Sequence, residues 1–111
     1  MKVQERRRHQ HVPFCTKLTI IDMTDQRRHD GHSIDLCLRG IGFYVERFFP
    51  AGARIAVIPR LNTEGHPSAQ PVEAVVRWSR VEREGAVVGA EFVQTLGPSV
   101  HPELYETLCN L

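Results

Sequence analysis

The chain's 111 residues suffice for one domain with a single core and leave no room for a separate catalytic lobe. Its 14 Lys and Arg nearly balance 13 Asp and Glu, for a formal charge of +1; this excludes a broadly basic surface of the kind that holds nucleic acid non-specifically, so an anion site has to be local. Three cysteines, Cys15, Cys37 and Cys109, form an odd set at wide spacing, which fits reduced thiols and neither a disulfide framework nor a zinc motif.

Residues 1–12 are polar and charged without a helical period and read as a flexible basic arm, with 13–111 as the domain. The stretch 14–23 is rich in β-branched and apolar residues, including Leu18 and Ile20, and predicts a strand with one buried face. Residues 25–31 are charged and end in Asp30-Gly31, a hairpin-turn signal. Strands follow at 33–38 and 41–45, joined by a polar turn over 35–40. Phe48-Phe49-Pro50-Ala51-Gly52 breaks the chain before a strand at 53–58, and 61–71 reads as a polar loop. The last two strands, 72–81 and 86–93, are parted by Glu82-Arg83-Glu84-Gly85. Beyond Pro102, Leu104, Leu108 and Leu111 recur at helical spacing and predict a helix within 102–111 that packs by one face. Together these elements predict an all-β fold, a six-stranded antiparallel β-barrel with a short C-terminal α-helix. No apolar run approaches the roughly 18 residues that span a bilayer, and no apolar leader core follows the basic N-terminus. A cytoplasmic location is expected.

Two separated motifs carry the chemistry. Arg6-Arg7-Arg8 stands ahead of the first strand, followed by His9-Gln10-His11-Val12-Pro13. Asp35-Leu36-Cys37-Leu38-Arg39-Gly40 forms the later turn. A guanidinium pairs bidentately with phosphate oxygens or with a guanine O6/N7 edge. An aspartate accepts from donor edges such as guanine N1–H and N2–H, and Gly40 admits close approach or a positive φ.

In these motifs the chain resembles the PilZ domain family, the bacterial module that binds cyclic di-GMP. Arg6-Arg7 through His11 is similar to the family's Arg-Arg-x-x-x-Arg arm. Asp35-x-Cys37-x-x-Gly40 is similar to its Asp/Asn-x-Ser-x-x-Gly turn. Val76-Arg77-Trp78 and Val88-Gly89-Ala90-Glu91-Phe92 are similar to its last two barrel strands. The resemblance implies a split-barrel fold and a cyclic di-GMP site built from Arg6, Arg7, His11, Asp35, Cys37 and Gly40. Arg8, Arg39 and Trp78 are auxiliary candidates, and Arg27 and Arg28 are further possible phosphate partners. It also implies a receptor whose arm closes over the ligand and signals to a downstream protein partner. No cofactor, DNA or RNA is expected, and the assembly is expected to be a monomer or homodimer.

Two residues depart from the family pattern. His11 stands where the second arm arginine is expected, and losing a charge-assisted fork costs about 1.5–3 kcal/mol. Cys37 replaces the motif serine, exchanging a hydroxyl donor for a weak thiol. Protonated His11 would return part of the missing charge, so binding is expected to tighten as pH falls. An alternative follows from the same two letters: a degenerate PilZ-like domain that has lost the ligand and acts as a protein-interaction module. A third reading, a barrel that stacks single-stranded nucleic acid, is weakened by the near-neutral charge. Trp78 reads more readily as a core or rim residue than as a stacking surface. His9, His11, His29 and His32 lack carboxylate or thiol partners at metal-ligand spacing, so no metal is expected. No nucleophile–base pair is visible in the sequence, and no enzymatic activity is expected.

Overall fold

Alternation of side chains sorts each strand into an inner and an outer face. In the computed structural model, which describes residues 10–63, 66–67 and 70–111, the inner faces of six strands converge on one core. In chain order the described strands are β1 (Val12–Pro13), β2 (Lys17–Asp22), β3 (Arg28–Cys37), β4 (Gly40–Val45), β5 (Arg54–Pro59), β6 (Asn62–Thr63), β7 (His66–Pro67), β8 (Val72–Glu82) and β9 (Gly85–Phe92), of which β2, β3, β4, β5, β8 and β9 are the six of the barrel, followed by the helix α1 (Pro102–Cys109). Hydrogen bonding runs in the order β3-β2-β5-β8-β9-β4, and β4 returns to β3. The result is the predicted closed, six-stranded antiparallel barrel, in which closure leaves each main strand paired on both sides. No helix among the described residues is long and apolar enough to cross a membrane.

The longest partner set belongs to β3, which uses one edge twice. Its first half pairs with β2, from Ile21↔Arg28 to Lys17↔His32, and its second half pairs with β1 through Val12↔Leu36 and Pro13↔Asp35. Between the two, buried Ser33 splices the chain. Its hydroxyl donates to the Phe14 carbonyl at 2.6 Å and accepts from the Thr16 amide at 2.9 Å, so no polar group is stranded there. β1 thus begins at Val12, within the stretch read as arm, and β6 and β7 make a small hairpin within the expected 61–71 loop.

Inside, Leu18, Ile20, Leu36, Ile41, Phe43, Val45, Ile55, Val57, Val76 and Val88 are buried, and Phe49 enters from the β4–β5 connection. Leu104 and Leu108 of α1 complete the core. Each such side chain contributes about 1.5–3 kcal/mol. His101 sets the helix start: its φ of 52° turns the chain, Nδ1 accepts the Leu104 amide at 3.2 Å, and Nε2 donates to the Gln70 carbonyl at 2.8 Å. The helix ends at Cys109, so Leu111 lies beyond it and is exposed, contrary to its expected place on the packing face.

Another expectation is corrected at the β2–β3 connection. Asp30-Gly31 lies within β3, and the turn is at Met23-Thr24-Asp25, just before Gln26. There Asp22 accepts the Thr24 amide, Asp25 accepts the Arg27 amide, and Gln26 takes the positive φ of 63°, the side-chain-to-backbone bonding that favours Asp in turns. Gly31 is instead a packing glycine, because a Cβ there would overlap the Tyr44 carbonyl oxygen.

Candidate ligand site

Strand register places a row of outward residues across four strands. Asp35 on β3 faces Gly42 on β4, Gly42 faces Gly89 on β9, and Gly89 faces Trp78 on β8. Neighbouring strands are about 4.8 Å apart, so the row spans about 14 Å from Asp35 to Trp78. The two central residues lack side chains and the two outer ones fold over them: a Cβ on Gly42 would come within 2.5 Å of Asp35 Oδ1, and one on Gly89 would overlap the Trp78 indole nitrogen. A shallow cavity of about 470 Å³ opens over this row, with Asp35 and Trp78 as its walls and Cys37, Arg39, Arg77 and Glu91 around it. That volume lies within the range of small-molecule sites, about 300–1,000 Å³.

Two bulges make this possible. In β3 the register shifts between Ser33 and Asp35, and in β8 between Val76 and Trp78. The extra residue in β8 is Arg77, so Arg77 and Trp78 both line the cavity although strict alternation would send them to opposite faces. Trp78 is 50% exposed. The core half of the core-or-rim expectation is therefore corrected: Gly89 and the bulge hold it on the outer face.

At the Asp35 end, the residue just before β1 is His11. Val12 pairs with Leu36, and one step further out His11 lies beside Cys37. His11 Nδ1 is 2.9 Å from Asp35 Oδ1, and its Nε2 is 3.8 Å from Cys37 Sγ. The ionised carboxylate only accepts, so Nδ1 carries the proton of the neutral ring and Nε2 is left as an acceptor facing the thiol. The sequence reading saw no nucleophile–base pair. The structure brings a thiol and an imidazole together from residues 26 positions apart, a neighbourhood that only the β1–β3 pairing creates.

At the other end two cations share one anion. Arg77 Nε donates to Glu91 Oε1 at 2.8 Å with Nη2 at 2.6 Å, and Arg39 Nη2 reaches Oε2 at 3.0 Å. The Arg77 guanidinium first, and Arg39 after it, hold the Glu91 carboxyl below its usual range. The turn that carries Arg39 is anchored from outside, since the Leu38 and Arg39 carbonyls accept the Leu96 and Phe92 amides at 2.9 and 2.8 Å.

Of the residues singled out from sequence, the fold gathers His11, Asp35, Cys37, Gly40, Arg39 and Trp78 at one cavity. Arg6, Arg7 and Arg8 lie outside the described residues. Arg28 opens β3 at its far end, seven positions from Asp35 or about 23 Å of strand, so it and adjacent Arg27 are not part of the cavity. Gly40 has no positive φ and is not a turn residue; it opens β4, where a Cβ would overlap the Ala90 carbonyl oxygen. Sequence reasoning missed Arg77, Glu91, Gly42 and Gly89, whose roles come from cross-strand register. The signal nearest to them was the strand pair Val76-Arg77-Trp78 and Val88-Gly89-Ala90-Glu91-Phe92. Among the described residues no group of three or more His, Cys, Asp or Glu side chains is arranged to hold a metal ion.

A family model described as the PilZ domain matches residues 5–104, most of the chain. No curated protein matches.

Proposed function

This chain belongs to the PilZ domain family, generally a family of cyclic di-GMP receptors, and from that premise we propose that its outer-face cavity binds cyclic di-GMP and that the N-terminal arm closes over the bound ligand. The observation that carries this reading is the convergence of Asp35, Cys37, Gly40, Arg39 and Trp78 on a single 470 Å³ cavity. Asp35 Oδ2 has no hydrogen-bond partner among the described residues, and it accepts from a guanine N1–H/N2–H edge. The half-exposed Trp78 indole, seated over Gly89, offers a face for a guanine to stack on, and Gly42 gives the Asp35 carboxylate room to lie along the sheet. Arg39 and Arg77 bracket the phosphate positions once their hold on Glu91 is exchanged for the ligand. Arg6, Arg7 and Arg8 supply the closing cations, and the change in the arm presents a new surface to a downstream protein.

Specific contacts also favour a second reading. His11 already occupies Asp35 Oδ1, and Glu91 already neutralises Arg39 and Arg77, so the cavity is internally satisfied as it stands. In that case the domain has kept the barrel without the messenger and works as a protein-interaction module.

Calorimetric titration with cyclic di-GMP at low salt separates the two, with Arg7→Ala and Asp35→Ala as controls. The receptor reading expects a dissociation constant in the low-micromolar range or tighter, lost in both variants. Absence of heat up to several hundred micromolar ligand leaves the interaction-module reading.

A further inference from the structure

We propose that Cys37 is a reactive thiol, activated by His11 and Asp35, and hence a site of modification by small electrophiles and hydroperoxides. This does not depend on cyclic di-GMP binding. It rests on a nucleophile, a base and an orienting carboxylate standing in line: Cys37 Sγ to His11 Nε2 at 3.8 Å, and His11 Nδ1 to Asp35 Oδ1 at 2.9 Å. Sulfur hydrogen bonds are long, and 3.8 Å lets an S–H point at a ring nitrogen. Asp35 fixes the tautomer that leaves Nε2 without its proton, so the ring can take the proton of the thiol while Asp35 holds the resulting imidazolium. This is the division of labour by which a base and its orienter activate a nucleophile.

The surroundings fit that role. The charged groups around the thiol are His11 beside β1, Asp35 on β3, Arg39 in the turn, Arg77 on β8 and Glu91 on β9. Glu91 pairs with both guanidinium groups, so the base at Nε2 and its orienting carboxylate, and not a positive field, carry the activation. Cys37 is only 4% exposed, yet it lines the cavity, so small reagents reach it while large ones do not. Cys15 supplies the internal contrast: it is exposed, and no base is paired with it among the described contacts.

With a hydroperoxide the step balances. The Cys37 sulfur, its proton passed to His11 Nε2, attacks the terminal peroxide oxygen. The O–O bond breaks, and the leaving oxygen takes up the proton from the imidazolium. Sulfur is oxidised to a sulfenic acid and the hydroperoxide is reduced to an alcohol, or to water when it is hydrogen peroxide.

The test is competitive alkylation of the folded protein by iodoacetamide, with the rate at Cys15, Cys37 and Cys109 read separately by peptide mass spectrometry. Cys37 is expected to react about tenfold faster than Cys15 despite being the less accessible. His11→Gln removes the base, and Asp35→Asn reverses the tautomer while keeping the shape. Each is expected to slow Cys37 about tenfold and to leave Cys15 unchanged, which also reports that the fold is intact. Hydrogen peroxide followed by a cyclic dione trap should label Cys37 first, and Cys37→Ser should abolish that label. Reactivity that follows exposure, with Cys15 fastest, overturns the proposal, as does a Cys37 rate indifferent to His11→Gln. Absence of cyclic di-GMP binding by the parent protein in the calorimetric experiment, with the thiol rates as expected, would sink the receptor reading alone.

Discussion

Gly42 and Gly89 are the residues whose smallness shapes the cavity, and their cost when enlarged should fall on the site and not on the barrel. A methyl at Gly42 meets the end of the Asp35 side chain, and one at Gly89 meets the Trp78 indole. Both neighbours lie on the outer face and can swing away. Gly42→Ala and Gly89→Ala are therefore expected to fold, with unfolding midpoints within a few degrees of the parent, about 1 kcal/mol or less. Gly42→Ala should weaken cyclic di-GMP about as much as Asp35→Ala does. Gly89→Ala should shift Trp78 fluorescence to longer wavelength as the ring leaves the sheet, and an unshifted spectrum would show that Gly89 does not seat the ring. The different legibility of these residues has a physical cause. Asp35, Cys37 and Gly40 sit within six residues of one another and announce themselves as a local motif. Gly42, Gly89, Arg77 and Glu91 matter only through Asp35↔Gly42, Gly42↔Gly89, Trp78↔Gly89 and Gly40↔Glu91, and no single stretch of sequence contains those pairs.

The elements themselves were largely readable, because the short apolar runs buried in β2, β4 and β5, the alternating starts of β8 and β9 and the spacing of Leu104 and Leu108 follow directly from apolar patterning. The two bulges were not, since an extra residue leaves the composition of a strand unchanged and only shifts what lies across from it. Nor was the β2–β3 turn, where an Asp-Gly pair that ordinarily marks a turn is used for packing against Tyr44. α1 offers the sharpest stability test. Leu104→Ala should destabilise by about 2–5 kcal/mol, as a cavity in a single shared core does. His101→Ala should lose the cap on the Leu104 amide and the tie to Gln70, about 1–2 kcal/mol. His101→Asn should cost less, because asparagine both caps and tolerates the left-handed backbone at φ 52°. Urea unfolding measures all three, and a His101→Asn cost equal to that of Ala would mean that the Gln70 tie carries the effect.

Charge is the property that belongs to the molecule as a whole. A formal charge of +1 gives no long-range field to draw in an anion. Within the cavity, Arg39 and Arg77 are matched by Asp35 and Glu91, so a doubly negative ligand meets a balanced surface and must displace an anion before it gains both guanidinium groups. Glu91 is that anion, and its arginine pairs lie partly in solvent, where such pairs add little to stability. Glu91→Gln should therefore leave the unfolding midpoint nearly unchanged and tighten cyclic di-GMP roughly fivefold at low salt, with the gain shrinking as salt screens it. The sign of the pH effect follows from the direction of the Glu91 shift. Arg77 and Arg39 hold its folded value below the ordinary 4.5, so the pairing contributes fully above that value and is lost as pH falls through the lowered one. The parent protein should show that acid loss, and Glu91→Gln should lack it. Calorimetry and acid unfolding together decide the matter. Weaker binding in Glu91→Gln would mean that Glu91 holds the two arginines in place for the ligand and does not compete with it.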